Sequence, residues 1–236
     1  MRVLTFNLRC DMPPVGWSQR RADASALVRH CEPDVVGFQE ALPHQRADLE
    51  HDLPDYQAYG IGRDAGGGGE QCCLFVRSGI ELLSQGTFWF GPHPDRPGSR
   101  AWDAMFPRIC SWVRLLWSGR EVTVANVHLD HEGETARQQA AAQLASWLRP
   151  PCVLMGDFNA EPDSVALTNL RQWLTDAYFC IHGGWLGTYH EFAGGHDGPC
   201  IDHILVSGLQ VASAEVVVSG PPYPSDHHPV LATLDL

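Results

Sequence analysis

Short apolar runs that end on an acid, an amide or an imidazole recur along this chain, and that recurrence constrains its fold more than any other feature. Val3 to Phe6 leads to Asn7, Val35 to Phe38 to Gln39 and Glu40, and Cys152 to Met155 through a glycine to Asp157 and Asn159. The run over 121–128 carries Asn126 and His128 with Asp130 just beyond, and later runs carry Asp202 with His203 and Asp226 with His227 and His228. Apolar runs this short read as buried strands, and in α/β proteins ligands sit where such strands end. Alternation puts Asp157 and Asn159 on one face and Phe158 on the other. One such pair reads equally well as a turn, because Asp and Asn bond their own backbone. Several together do not, since buried acids are costly unless paired or bound to a cation.

Between these runs the apolar period changes. Residues 18–31 predict a helix with Ser18 as its cap and Ala22, Ala26, Leu27 and His30 on one side, stopped by Pro33. Pro43 opens a short helix to about His51, and strand-like runs follow near 56–63, 71–77 and 80–90. Gly66 to Gly69 lack the Lys and Ser/Thr of a phosphate-cradling loop and read as a linker. Residues 92–107 form a proline-rich stretch too long for an ordinary connection, hence a candidate functional loop. Residues 111–117 and 121–128 pair as a hairpin across Ser118-Gly119-Arg120. A helix from Glu134 to Trp147 has the stripe Ala136, Ala140, Leu144 and Trp147. A helix near 164–174 and strands near 200–206, 210–218 and 229–235 complete the pattern. No tandem repeat or linker interrupts it, so a single α/β domain over 1–236 is expected, with two sheets packed face to face and helices outside.

A chain of 236 residues that is 44% hydrophobic can bury one large core. No run approaches the roughly 18 apolar residues of a membrane span, and the first residues lack a signal-peptide pattern, which favours a cytoplasmic protein. The 8 cysteines show neither zinc-site nor disulfide-framework spacing and read as reduced thiols. Net charge is -12, every basic residue is an arginine, and none lies beyond Arg171 although Asp176, Glu191, Asp197, Asp202, Glu215, Asp226 and Asp235 do. Such a surface repels a polyanion, so extended duplex binding is disfavoured. On the proline-rich loop, Arg100 and Arg108 suit bidentate capture of one phosphate, and Trp102 suits stacking on a base or sugar and equally well anchoring the loop in the core.

TFNLR (5–9), DVVGFQEA (34–41), NVHLDH (126–131), GDFNAEP (156–162), IDHILVS (201–207) and SDHHPV (225–230) follow one another along the chain. In this order they resemble the endonuclease/exonuclease/phosphatase superfamily, and residues 86–109 are similar to a bacterial branch nearest its deadenylase and nocturnin side. The resemblance implies a four-layer α/β sandwich of two mixed β-sheets flanked by helices. It also implies Mg²⁺ or Mn²⁺ and in-line attack of water on a phosphoester; oxygen-rich residues agree with such hard cations. By motif match Glu40 is the principal metal ligand, with Asn7 and Asp226 beside it. Asp157 orients or deprotonates the water, and Asn159 holds it or the phosphate. His227 donates to a phosphoryl oxygen with Asp202 fixing its tautomer, and His128 is a phosphate contact or leaving-group acid. Departures are His203 where relatives commonly have tyrosine, Cys200 where a basic residue is frequent, and the Cys72-Cys73 pair next to a retained Glu70. A phosphodiester on a small or single-stranded substrate is expected. The alternatives are a phosphomonoesterase of a small phosphorylated metabolite and, in another class, a catalytically inactive binding module, disfavoured because the matching positions are filled.

Overall fold

In the computed structural model, which describes residues 1–236, the apolar runs become strands of two six-stranded sheets. The first has the order β11-β12-β1-β2-β4-β3 and is built from Gln210–Val216, Val230–Asp235, Arg2–Asn7, Val35–Gln39, Leu74–Arg77 and Tyr56–Tyr59. The second, β5-β6-β7-β8-β10-β9, is built from Glu81–Trp89, Ile109–Trp117, Arg120–His128, Cys152–Asp157, Asp202–Ser207 and Thr175–Asp176. Both sheets are mixed: β1–β2 and β7–β8 are parallel and their other pairings antiparallel. Five helices complete the chain: α1 (Trp17–Cys31), α2 (Pro43–Asp52), α3 (Glu134–Trp147), α4 (Val165–Leu170) and α5 (Ala177–His182).

The continuous apolar runs are explained by burial on both faces of each sheet. Val3, Val35 and Val76 of the first sheet meet Val113, Val124, Met155 and Ile204 of the second in the central core. Their neighbours in sequence point outward. Leu4, Phe6, Val36 and Phe38 pack under Trp17, Leu27 and Val28 of α1 and Leu49 of α2. Ala125, Val127 and Leu154 pack under Ala140 and Leu144 of α3 and Leu167 of α4. The result is helices, sheet, sheet, helices, the four-layer sandwich expected.

Polar contacts also join the two sheets. Gln39 Nε2 donates to Asn126 Oδ1 (2.6 Å), while Asn126 Nδ2 donates to the carbonyls of Phe38 and Cys73 (2.9 and 3.0 Å). Room for this bridge comes from Gly37, where a Cβ would stand 2.8 Å from both Asn126 Cγ and Met155 Cε.

Three local expectations are corrected. Helix α1 begins at Trp17 with Gly16 at its N-cap position, so Ser18 does not cap it. Its buried face is Trp17, Arg20, Ala24, Ser25, Leu27, Val28 and Cys31, leaving Ala22, Ala26 and His30 exposed. Arg20 sets this phase, because its buried guanidinium donates to the carbonyls of Leu8, Arg9 and Pro224. Helix α4 stops at Leu170, earlier than the apolar pattern, and strand β9 with helix α5 occupies a stretch without a period of its own. There Asp176 caps α5 by accepting from Phe179 N–H (3.0 Å). No helix is long and apolar enough to cross a membrane.

Candidate active site

The parallel pairs β1–β2 and β7–β8 end at the same rim of the sandwich, where Asn7 Nδ2 donates to Glu40 Oε1 (3.1 Å) and to Asp157 Oδ2 (2.9 Å). Glu40 is turned into this rim by a left-handed backbone (φ 58°) just past β2, and Cys10 N–H donates to its Oε2 (2.9 Å). Such a conformation in a non-glycine residue is sparsely populated and concentrates at functional sites. Asp157 serves a turn and the site at once. Its Oδ1 accepts from the N–H of Asn159 (2.8 Å), itself left-handed at φ 46°, while Oδ2 faces the cleft. Asn159 Nδ2 donates to Leu129 O (3.0 Å), and Phe158 points the other way into the outer core.

The second sheet and the last loop add a proton-handling pair. His227 Nδ1 lies 2.8 Å from Asp202 Oδ2, which also accepts from the Thr188 hydroxyl (2.7 Å). With the carboxylate as acceptor, Nδ1 carries the proton and Nε2 faces the cleft, 4.0 Å from Asp157 Oδ2. His128 Nε2 approaches the same oxygen at 3.5 Å. Asp226 completes the rim beside Arg9 (3.5 Å).

The charges at this rim are strongly coupled. Burial opposes the charged form of His227, but Asp202, Asp157 and Asp226 outweigh it and push its pKa up to about 10. Burial, then Asp202, pushes Asp157 up to about 7. Burial and Arg108 hold His128 well below the usual imidazole range. Glu40 goes the other way: burial disfavours its charge, yet the charged His227 ring and the donors from Cys10 and Asn7 hold it below the usual carboxylate range.

This rim opens into a cleft of about 860 Å³ whose basic residues are Arg9, Arg63, Arg108 and Arg137, with His128, His131 and His227. Arg108 is where the proline-rich loop was expected to place a phosphate contact, although its Nε is already held by Asp130 (3.1 Å). Arg100 and Trp102 are elsewhere: they line a separate depression of about 570 Å³ with Arg96, and Arg100 donates to Met105 O (3.2 Å). Loop packing separates them, because Gly98 lies so tightly against Ala65 that a Cβ there would be 2.6 Å from its nitrogen. His203 leaves the cleft as well. Its Nδ1 pairs with Asp176 (2.9 Å) and its ring packs edge-on against Phe158, which makes it a structural tie where relatives commonly have tyrosine.

The sequence reading missed Arg63, Tyr189, Glu134, Arg137 and Glu161 as cleft residues. Arg9 was within reach, being the last residue of the TFNLR motif. Arg63 carried no local signal. It is held by a bidentate pair with Glu70 (2.7 and 2.9 Å), seven residues on.

The donor chemistry fits a hard divalent cation. Glu40, His128 and Asp157 offer ligand atoms within 4.8 Å of one another, and the carboxylate of Asp226 adjoins them, while Asn7 presents Nδ2 to this group and its Oδ1 accepts from the N–H of Arg9 (2.9 Å). Burial raises Asp226 as it does Asp157, so both carboxylates would be relieved by a cation.

Two mixed sheets carrying this combination of carboxylates, amide and carboxylate-oriented imidazole at one rim define a hydrolase of phosphoester bonds. The Endonuclease/Exonuclease/phosphatase family model matches residues 4–227, and the chain belongs to that family. An endonuclease/exonuclease/phosphatase from Bacteroides vulgatus is 35% identical over 100% of this chain and 98% of its own, with a TM-score of 0.94. A mannosyl-6-phosphatase from Bacteroides thetaiotaomicron is 30% identical over 100% of both chains, with a TM-score of 0.90. TDP2 of D. rerio, solved with a single-strand DNA product, shares the fold at 16% identity and a TM-score of 0.79, covering 100% of this chain and 99% of its own. Comparison with curated proteins finds no match.

Proposed function

We propose that this chain is an Mg²⁺- or Mn²⁺-dependent phosphoesterase, acting as one domain over 1–236, that cleaves a small phosphorylated metabolite by in-line attack of water. The observation that carries the reading is convergence on a single atom: Asp157 Oδ2 lies 2.9 Å from Asn7 Nδ2, 3.5 Å from His128 Nε2 and 4.0 Å from His227 Nε2. Glu40, Asn7 and Asp226 would hold the cation, which when bound draws charge from the phosphoryl oxygens. Asp157, with a pKa near that of neutral solution, orients the attacking water and accepts its proton, and Asn159 steadies the turn that aims it. His227, kept protonated by Asp202, donates to the phosphoryl oxygen where charge builds. His128, kept neutral, suits a hydrogen bond to the phosphoryl group better than the part of leaving-group acid.

The sequence by itself leaned towards a phosphodiester. The full-length bacterial relative named as a mannosyl-6-phosphatase moves the proposal to a phosphomonoester. The eight free cysteines support a reducing, cytoplasmic location. The test is a panel of sugar, alkyl, nucleotide and lipid phosphoesters with Mg²⁺, Mn²⁺ or chelator. Metal-dependent release of inorganic phosphate from a monoester is expected. Chelator-resistant turnover would sink the metal mechanism, and turnover of diesters alone would restore the diester reading.

A further inference from the structure

The cleft extends beyond what a phosphoryl group and a cation need, and its outer wall has a different chemistry from its floor. Past His128 and Asp157 it continues between the first turns of α3 and the turn that leads into α4. From α3 come Glu134 and, one helical turn on, Gln138; from the turn come Glu161 and Ser164. Gln138 Nε2 donates to Glu134 Oε1 (3.0 Å), which leaves the second oxygen of Glu134 and the amide oxygen of Gln138 open to a ligand. Ser164 Oγ accepts from Leu167 N–H (3.3 Å) as the cap of α4, so its own proton is available to donate. Glu134 and Glu161 are exposed. Arg137, the cation beside them, is tied to Asp130 O (2.7 Å).

Three kinds of leaving group can be weighed against this wall. A polyanion meets two carboxylates and is repelled. A nucleobase needs an open aromatic face to stack on. Of the two such rings in the cleft, Phe106, 37% exposed, already has the Arg63 guanidinium over it (4.5 Å) and His131 stacked with it (5.9 Å), and Tyr189 meets His227 edge-on (5.0 Å). A polyol instead donates a hydroxyl proton to each carboxylate or amide oxygen and accepts one from serine, satisfying the wall without opposing its charge.

We infer that Glu134, Gln138, Glu161 and Ser164 form a polyol subsite that selects a neutral, polyhydroxylated leaving group on the phosphoester. This rests on the phosphoesterase reading above and adds the residues that choose the substrate. The probes are a hexose 6-phosphate and cyclohexylmethyl phosphate, alike in size but not in hydroxyls. The wild-type protein is expected to favour the hexose phosphate in kcat/KM by at least about tenfold, because a site built to bond hydroxyls rejects the analogue lacking them. The double variant Glu134→Ala, Glu161→Ala should lose that ratio, mainly through KM. Glu81→Ala with Glu121→Ala, the same loss of two carboxylates at exposed positions on β5 and β7 outside the cleft, should keep it. Equal kcat/KM for the two probes in the wild type, or a preference that survives the double variant, overturns the subsite. Failure of the metal-loaded protein to hydrolyse any phosphoester would instead overturn the phosphoesterase reading. Calorimetry then still decides the subsite: hexose 6-phosphate binding lost in the double variant, with inorganic phosphate binding kept, supports it, and equal hexose phosphate binding by the two proteins overturns it.

Discussion

At the scale of single residues, His227 and Asp157 are both pushed upward, His227 by its carboxylate neighbours against the effect of burial and Asp157 by burial and Asp202. His227→Ala removes the donor proposed for the phosphoryl oxygen, and kcat is expected to fall by at least about 10²-fold on a verified substrate. Asp202→Asn keeps the geometry but removes the charge that holds His227 protonated, at 2.8 Å. The imidazolium, lost near pH 10 in the parent, should then be lost nearer neutrality, so the alkaline limb of kcat against pH moves down. An unmoved limb would take Asp202 out of that role. Asp157 makes a separate prediction for the metal-free protein. Its pKa is about 7 in the folded chain against an ordinary 3.8, so between those values the native state holds a proton that the unfolded state has released. Stability therefore falls as pH rises from about 4 to about 7, and Asp157→Asn should flatten that part of the curve. Denaturant midpoints across this window, measured in chelator, check the sign. Added divalent cation should raise the midpoint of the parent protein at neutral pH.

At the scale of elements, one glycine governs how closely β2 approaches the second sheet. Gly37→Ala would drive a methyl group to 2.8 Å from Asn126 Cγ and Met155 Cε, in a region where Asn126 already bonds two carbonyls and Gln39. Overpacking of this kind typically costs about 1–3 kcal/mol. Urea unfolding of Gly37→Ala should show a lower midpoint with an unchanged slope, and a loss well under 0.5 kcal/mol would mean that the bridge yields freely. The same bridge reassigns Asn126. It looks in the sequence like one more polar strand end beside His128, but it holds the two sheets together underneath the catalytic rim.

For the whole molecule, charge and the grouping of arginines matter together. The net charge is -12, and the cleft gathers only Arg9, Arg63, Arg108 and Arg137, three of them paired with the carboxylates of Asp226, Glu70 and Asp130. A protein that grips a duplex through about 6 to 10 phosphate contacts loses roughly 10³- to 10⁵-fold in affinity between 50 and 200 mM salt. This chain is expected to bind undamaged duplex DNA weakly, with a shallow salt slope. Fluorescence anisotropy over a salt series measures it, and tight binding with a steep slope would contradict the charge argument.

The two periods of the apolar pattern and the polar residues at strand ends were legible because they are local: a buried strand needs neighbours only two residues apart to show itself. Glu40, Asp157, His128 and His227 could be singled out on that ground, and motif order then implied the sandwich. The phase of α1 was not legible, since alanines at positions 22, 24 and 26 fit either face until the carbonyls around Arg20 choose one. Nor was the wall of the cleft, because Glu134 and Glu161 are ordinary surface acids in sequence and share one opening only when α3 and the turn before α4 lie side by side. Trp102 and Arg100 show the converse. Their residue types suit a ligand site, but the packing of Gly98 on Ala65 carries them into a separate depression. Sequence by itself determined which carboxylates, amides and imidazoles stand at strand ends and so are the candidates for chemistry, since burying such a group there has few other uses. Tertiary structure alone decided which of them face the same cleft, because that depends on contacts between segments far apart in the chain.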